Sequence, residues 1–244
     1  STNPGVVAYD PAFGFELAYI FKDGLRRMYG ENPEDIFYYI TVYNEPYVQP
    51  QQPENVDVDG ILKGMYLYSG SSRQDGLRAQ LLASGVAMNW ALEAQRLLLE
   101  EWNVAADVWS VTSWNELRRD GLSTDKHNLL NPHEQRTAYV TKRLSSAPGP
   151  VVAVSDWMRA VQDQIRNWVP SDFATLGTDG WGLSDTRGAV RRHFLVDAQS
   201  IVVQTLHSLA HRGEISFDVV KEAIDRYQLH DVTAADAGNT EGAG

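Results

Sequence analysis

Cysteine is absent from the sequence. Disulfides, cysteine-ligated zinc or iron–sulfur centres and a thiol nucleophile are therefore excluded, and the composition fits a reducing compartment, the cytoplasm. No apolar run approaches the roughly 18 residues that span a bilayer. The opening STNPGVVAYD has neither the basic flank nor the apolar stretch of a signal peptide. It also lacks an initiator Met, which predicts a trimmed chain or a segment of something longer. Basic charge is scarce: 21 Lys and Arg stand against 32 Asp and Glu, a formal net charge of −11. Such a field repels a phosphodiester backbone, so general nucleic-acid binding is not expected. Internal repeats of a kind that would suggest a solenoid or propeller are missing. So are the loops G-x-G-x-x-G, G-x-x-x-x-G-K-[ST] and G-x-S-x-G.

What is present is an ordinary globular composition, 43% hydrophobic and 22% charged over 244 residues. Residues 11–29 read as a helix, with Phe13, Leu17, Phe21, Leu25 and Met28 on one apolar stripe and Gly30 as its stop. IFYYITV, 36–42, reads as a strand buried on both faces. Three prolines and four carboxylates between 44 and 60 read as an extended linker. Beyond it the chain alternates. Strands are expected at 78–83, 106–111, 150–155 and 173–177, and helices at 86–102, from Asp156 as N-cap to Trp168, at 197–212, and from Ser216 to Tyr227. Residues 112–148 read as irregular, with a short helix near Trp114. Strands separated by helices imply βαβ units and a mostly parallel sheet. The Gly-rich end, 232–244, reads as a flexible tail.

Several constellations hold residue types that carry chemistry elsewhere. His207 and His211 stand four apart in HSLAH, but Ser208 occupies the place where the zinc-protease pattern has Glu, so they read as helix-surface histidines. His127 and His133 flank a loop, with Glu134 adjacent and nothing else converging on it. Glu100, Glu101, Glu54, Asp57 and Asp59 read as solvated carboxylates. Arg118-Arg119 and Arg191-Arg192-His193 are basic clusters in an acidic chain, suited to a phosphate, a partner's carboxylates or local ion pairs. GTDGWG, 177–182, reads as a structural turn. Composition and spacing thus give an α/β protein without a self-contained active site.

Longer strings carry a resemblance. YDPAFGFELAYIFKDGLRRMYG followed by DIFYYITVYNEPY resembles the end of the pyrimidine-binding domain of a thiamine diphosphate enzyme. DVWSVTSWNELRRDG and LGTDGWGLSDTRGAVRRHFLVDAQSIV resemble the C-terminal domain of the transketolase superfamily. Over about residues 6–230 the chain is similar to the homodimeric first component of bacterial pyruvate dehydrogenase complexes. The resemblance implies residues 1–45 as the C-terminal part of a doubly wound pyrimidine-binding domain. A linker over 46–75, a complete transketolase-type α/β domain over 76–231 and the tail follow.

The activity implied is decarboxylation of pyruvate and reductive acetylation of the lipoyl group of a dihydrolipoamide acetyltransferase. Thiamine diphosphate and Mg would serve as cofactors, in a cytoplasmic homodimer. The family's G-D-G motif with a downstream Asn does not occur in this sequence. The resemblance therefore places the diphosphate site and the catalytic residues upstream, and this chain alone is expected to be inactive. Tyr43, Asn44 and Glu45, following the strand at 36–42, are expected at the mouth of the substrate channel, and Arg191, Arg192 and His193 at a dimer or partner contact. The alternatives are a 2-oxoglutarate-decarboxylating component, a transketolase, or a non-catalytic assembly module of the same fold.

Overall fold

The computed structural model describes residues 2–73 and 75–235. It begins with β1 (Val6–Tyr9), α1 (Gly14–Tyr29) and β2 (Phe37–Ile40), and β1 and β2 pair in parallel as a small sheet. Then come α2 (Val58–Lys63), β3 (Tyr66–Ser69), β4 (Leu77–Ala83), α3 (Ala87–Trp102), β5 (Val104–Ser110), α4 (Trp114–Leu130) and α5 (Tyr139–Leu144). The chain continues through β6 (Val151–Val154), α6 (Arg159–Asp163), β7 (Phe173–Leu176), α7 (Arg187–His193), α8 (Ala198–His211) and α9 (Phe217–Arg226). A five-stranded sheet has the order β3-β5-β4-β6-β7, parallel throughout except for β3, which runs antiparallel to β5.

The central strands of this sheet are buried on both faces, mostly by apolar side chains, and helices cover both; of the buried polar exceptions, Arg78, Gln80 and Asp107 bond one another across β4 and β5. Leu81 of β4 faces α3 and α8, among Leu98, Val108, Val152 and Ile201. Its neighbour Leu82 points to the opposite side, among Trp109, Leu117, Val140, Val151 and Ile165. From β4 the chain crosses through α3 to β5 on one side, and β6 later pairs on the other. The carboxyl end of β4 is therefore the switch point of the sheet, where an open α/β sheet has its crevice.

The first unit departs from the sequence reading in one instructive way. The face of α1 turned inward is Glu16, Ile20 and Gly24, not the apolar stripe. Phe21 is 58% exposed and Leu25 also lies open. Two contacts set this rotation. Gly24 lies against the ring of Tyr38, where a Cβ would come within 3.3 Å. The Glu16 carboxylate sits fully buried on donors from three segments. β2 is likewise not buried on both faces: Phe37 is 54% and Tyr39 57% exposed. Its recorded ladder runs to β1 alone.

Other expectations are corrected as well. The linker region contains α2 and β3. The stretch read as irregular holds the 17-residue α4, started by Ser113, whose hydroxyl accepts from the Glu116 N–H. α7, capped by Thr186, was not expected. Asp156 caps no helix: α6 and a separate 3-10 turn, Arg166–Trp168, replace the helix read there. Of the expected tail, Val232–Ala235 forms a 3-10 turn against α7, and 236–244 lie outside the described residues.

Two glycines give a matched test of packing against backbone strain. Gly149 has φ of +89°, and a Cβ there would lie 1.9 Å from the Arg78 carbonyl oxygen. Gly180 has φ of +97° with nothing within 4 Å. Gly180→Ala is expected to cost only the left-handed strain, about 1 kcal/mol. Gly149→Ala is expected to cost about 2–3 kcal/mol, because the overlapping atom is main chain. Urea denaturation of the two variants checks both values.

Candidate functional site

The carboxyl ends of the two parallel sheets meet, and Asp10 stands between them. It follows β1, and its main chain ties in first: the Asp10 N–H donates to the Thr112 carbonyl at 2.7 Å, and the Gly85 N–H donates to the Asp10 carbonyl at 3.2 Å. Its side chain is buried and accepts four donors. Oδ1 takes the Thr41 hydroxyl at 2.5 Å and the Tyr43 phenol at 2.6 Å. Oδ2 takes the Ser84 hydroxyl at 2.7 Å and the Trp157 indole N–H at 3.0 Å. Ser84 in turn accepts from the Trp114 indole at 3.1 Å. Thr41 follows β2, Ser84 follows β4, Trp114 comes after β5, and Trp157 follows β6. The crevice at the switch point is thus filled by a carboxylate of the same chain, held as a ligand would be.

Tyr43 extends the network. Its hydroxyl also lies 3.1 Å from Asp156 Oδ1. Burial and the nearby charge of Asp10 push the Asp156 carboxyl up to about 6. Burial, with the two carboxylates, raises the Tyr43 phenol well above its ordinary value. Two cavities flank this wall. One, of about 440 Å³, borders Asp10, Tyr39, Trp114, Trp157 and Met158. The other, of about 270 Å³, borders Tyr43, Asn44, Glu45, Asp156 and Arg191.

The structure brings together two groups that the sequence reading assigned to separate roles. Arg191 of α7 donates to Glu45 and stacks over Trp90 of α3, 4.7 Å from the ring centroid. Arg187 stands 3.9 Å from the same carboxylate. Asn44 is exposed beside them. Arg192 does not belong to a contact surface: it is 2% exposed, with Nε donating to Asp197 at 2.6 Å and Nη1 to the Tyr227 carbonyl at 3.0 Å. Desolvation forces this internal pairing. Of the basic run only His193 is exposed, edge-on to Phe194. A double-mutant cycle on Glu45→Gln and Arg191→Met is expected to give a coupling of about 1 kcal/mol, the scale of a half-buried ion pair.

The remaining candidates stay local. His127, in the last turn of α4, bonds through Nε2 to the Glu134 carbonyl at 2.9 Å in the loop that follows. His207 and His211 pack edge-on against each other and Phe217. Among the described residues no three His, Asp or Glu side chains come together to hold a metal ion. The two carboxylates at the junction face phenol, hydroxyl and indole donors. Among the described residues, too, no helix is long and apolar enough to cross a membrane.

With this geometry the chain matches known proteins along nearly its whole length. Residues 64–197, more than half of the chain, match the transketolase-like TK C-terminal domain, and the chain belongs to that family. Residues 1–50 match the middle domain of the pyruvate dehydrogenase E1 component.

The particular relatives are pyruvate dehydrogenase E1 components. That of Mycolicibacterium smegmatis is 57% identical over 236 residues, covering 96% of this chain and 25% of the relative. That of Mycobacterium tuberculosis is 57% identical over 242 residues, covering 99% and 26%. The Escherichia coli K12 protein is 43% identical over 230 residues, covering 93% and 26%. The chain thus spans about a quarter of the length of these relatives and corresponds to a segment of that enzyme.

Among solved structures, a Pichia stipitis transketolase in complex with sedoheptulose 7-phosphate superposes with a TM-score of 0.57 at 19% identity, over 87% of this chain and 26% of that one. A split-gene transketolase, an inactive beta4 tetramer, gives 0.56 at 15% identity, over 86% and 59%. These two show the fold.

Proposed function

We propose that this chain serves as the C-terminal quarter of a thiamine diphosphate-dependent component that decarboxylates pyruvate. That component passes the acetyl group to the lipoyl arm of a dihydrolipoamide acetyltransferase. The observation that carries this reading is the 57% identity to pyruvate dehydrogenase E1 components across 96% of the chain. That similarity favours pyruvate over 2-oxoglutarate or a sugar phosphate as substrate. The segment's own share is to pack the dimer and to shape the entrance to the active site, where Tyr43, Asn44 and Glu45 follow β2. The parent enzyme works as a homodimer in the cytoplasm.

The diphosphate and magnesium would be held by the part of the enzyme that lies upstream in the relatives. The exposed stripe of α1 and the outer face of β2 support this arrangement, since both are apolar surfaces left open in this chain. Such surfaces suit the rest of the middle domain. The split-gene transketolase tetramer is inactive, and the same is expected here.

The purified chain, supplied with thiamine diphosphate, magnesium, pyruvate and an artificial electron acceptor, is expected to show no turnover. Calorimetric titration is expected to show no heat of cofactor binding. Pyruvate turnover by the chain alone would overturn the division of labour proposed here.

A further inference from the structure

Tyr43 has one phenolic proton, and two carboxylates face it. Its oxygen lies 2.6 Å from Asp10 Oδ1 and 3.1 Å from Asp156 Oδ1. Asp10 already accepts from Thr41, Ser84 and Trp157, the environment of a carboxylate anion. The shorter contact places the phenol proton on the Asp10 side. The contact to Asp156 is then a hydrogen bond only when Asp156 itself supplies a proton. Without that proton, two negative charges share one donor within a largely buried wall.

We propose that Asp10, Tyr43 and Asp156 form a one-proton latch between the segment matched to the middle domain and the C-terminal domain. With the proton present, donation runs unbroken from Asp156 to Tyr43 to Asp10, and the chain from Thr41 to Glu45 is held on the carboxyl ends of β4 and β6. Without it, the same residues loosen. Asp10, Tyr43 and Asp156 come from three stretches of chain, so the latch joins the exit of β1, the exit of β2 and the exit of β6. It thereby couples the order of Asn44 and Glu45 to proton concentration.

Charged and polar groups face Asp156 from several sides. The Tyr43 hydroxyl, the Asp156 main chain and, least of the three, Arg191 of α7 favour the Asp156 anion, and the pairing of Arg191 with Glu45 blunts the last of these. Asp185 and Arg187 border the same cavity with opposite signs. Ser84, Thr41 and Trp157, which complete the shell of Asp10, carry no charge. Burial and Asp10 therefore dominate, and they push the Asp156 carboxyl up to about 6. A carboxyl raised in the folded chain favours its neutral form. Its contribution is complete below the ordinary carboxylate range and is lost as pH rises through about 6.

Amide hydrogen exchange reads the latch directly. The Thr41 N–H donates to the Tyr9 carbonyl at 3.1 Å and the Gly85 N–H to the Asp10 carbonyl at 3.2 Å. In the unaltered chain their protection, corrected for intrinsic rates, is expected to fall by roughly ten- to a hundredfold between about pH 4.5 and about pH 7.5. Asp156→Asn keeps a permanent donor on Tyr43, and its protection is expected to stay high and flat. Tyr43→Phe removes the shared atom, and its protection is expected to be low and flat. A flat profile in the unaltered chain, or a slope that survives in Asp156→Asn, overturns the latch. Carbon NMR of the Asp156 carboxyl in the unaltered chain needs no variant: a midpoint near 6 is expected, and one near the ordinary value of about 4 contradicts it. The latch deepens the proposed role of this junction, yet its test uses neither cofactor nor pyruvate. Its failure and the failure of the proposed function are therefore distinguishable.

Discussion

Glu16→Leu is expected to destabilise the chain by about 3–5 kcal/mol, measured by urea denaturation followed by circular dichroism. The carboxylate is fully buried and accepts four donors: the main-chain N–H of Ala12 at 2.7 Å and of Phe13 at 3.0 Å, the Tyr66 phenol at 2.7 Å and the Ser110 hydroxyl at 2.6 Å. Burial pushes the carboxyl above its ordinary range, and the four donors pull it back. Leucine fills the space but leaves the Ala12 and Phe13 N–H groups without their acceptor, and the Tyr66 and Ser110 hydroxyls must turn elsewhere. Ala12 and Phe13 lie at the start of α1, so the helix loses its only carboxylate in the first turn as well. Glu16→Gln keeps one accepting oxygen, and about half the loss is expected. A Glu16→Leu variant as stable as the unaltered chain would contradict the reading of this carboxylate as the anchor of α1 to β3 and β5.

Asp10→Ala is expected to cost about 3–4 kcal/mol by the same measurement, and to do so with a recognisable pattern. The hydroxyls of Thr41, Tyr43 and Ser84 can turn to other acceptors, whereas the Trp157 indole N–H is fixed by its ring. The loss falls on the contact between the first unit and the second. Limited proteolysis within residues 44–57, which carry no helix or strand, is therefore expected to speed up more than cleavage elsewhere. Uniform acceleration over the whole chain would show that Asp10 supports the fold generally and does not fasten the junction.

The parallel sheet was legible in the sequence for a physical reason. A strand buried on both faces is largely apolar, and β6 is wholly so, while β4 and β5 depart from it at Arg78, Gln80, Asp107 and Ser110. α4 was hidden because its buried positions, Trp114, Leu117, Gly121 and Thr124, include a glycine and a hydroxyl that do not read as an apolar stripe. α1 shows the opposite failure. Its stripe is real, but periodicity reports only that one face is apolar, not what covers it. In this chain a buried carboxylate and a tyrosine ring decide which face turns inward.

The candidate site was legible in part. Glu45 and Arg191 each stood out, one beside a strand end and one in a basic run, but nothing local links residues 146 apart. Arg192 looked like its neighbour, and only burial separates them. Asp10 drew no notice as a site residue, although it directly follows β1 and precedes a proline. Its four donors lie 31, 33, 74 and 147 residues away, so its role becomes visible only once both sheets are folded.

The most direct measurement is a transplant. The quarter of the Mycobacterium tuberculosis pyruvate dehydrogenase E1 component that matches this chain, over 99% of it, is replaced by this sequence. Pyruvate-dependent reduction of an artificial acceptor is then assayed for the chimera, for the relative with that quarter deleted, and for this chain alone. Turnover by the chimera, with silence from the other two, is the expected result. A chimera that folds and dimerises yet leaves pyruvate untouched would contradict the assignment of this chain to that component.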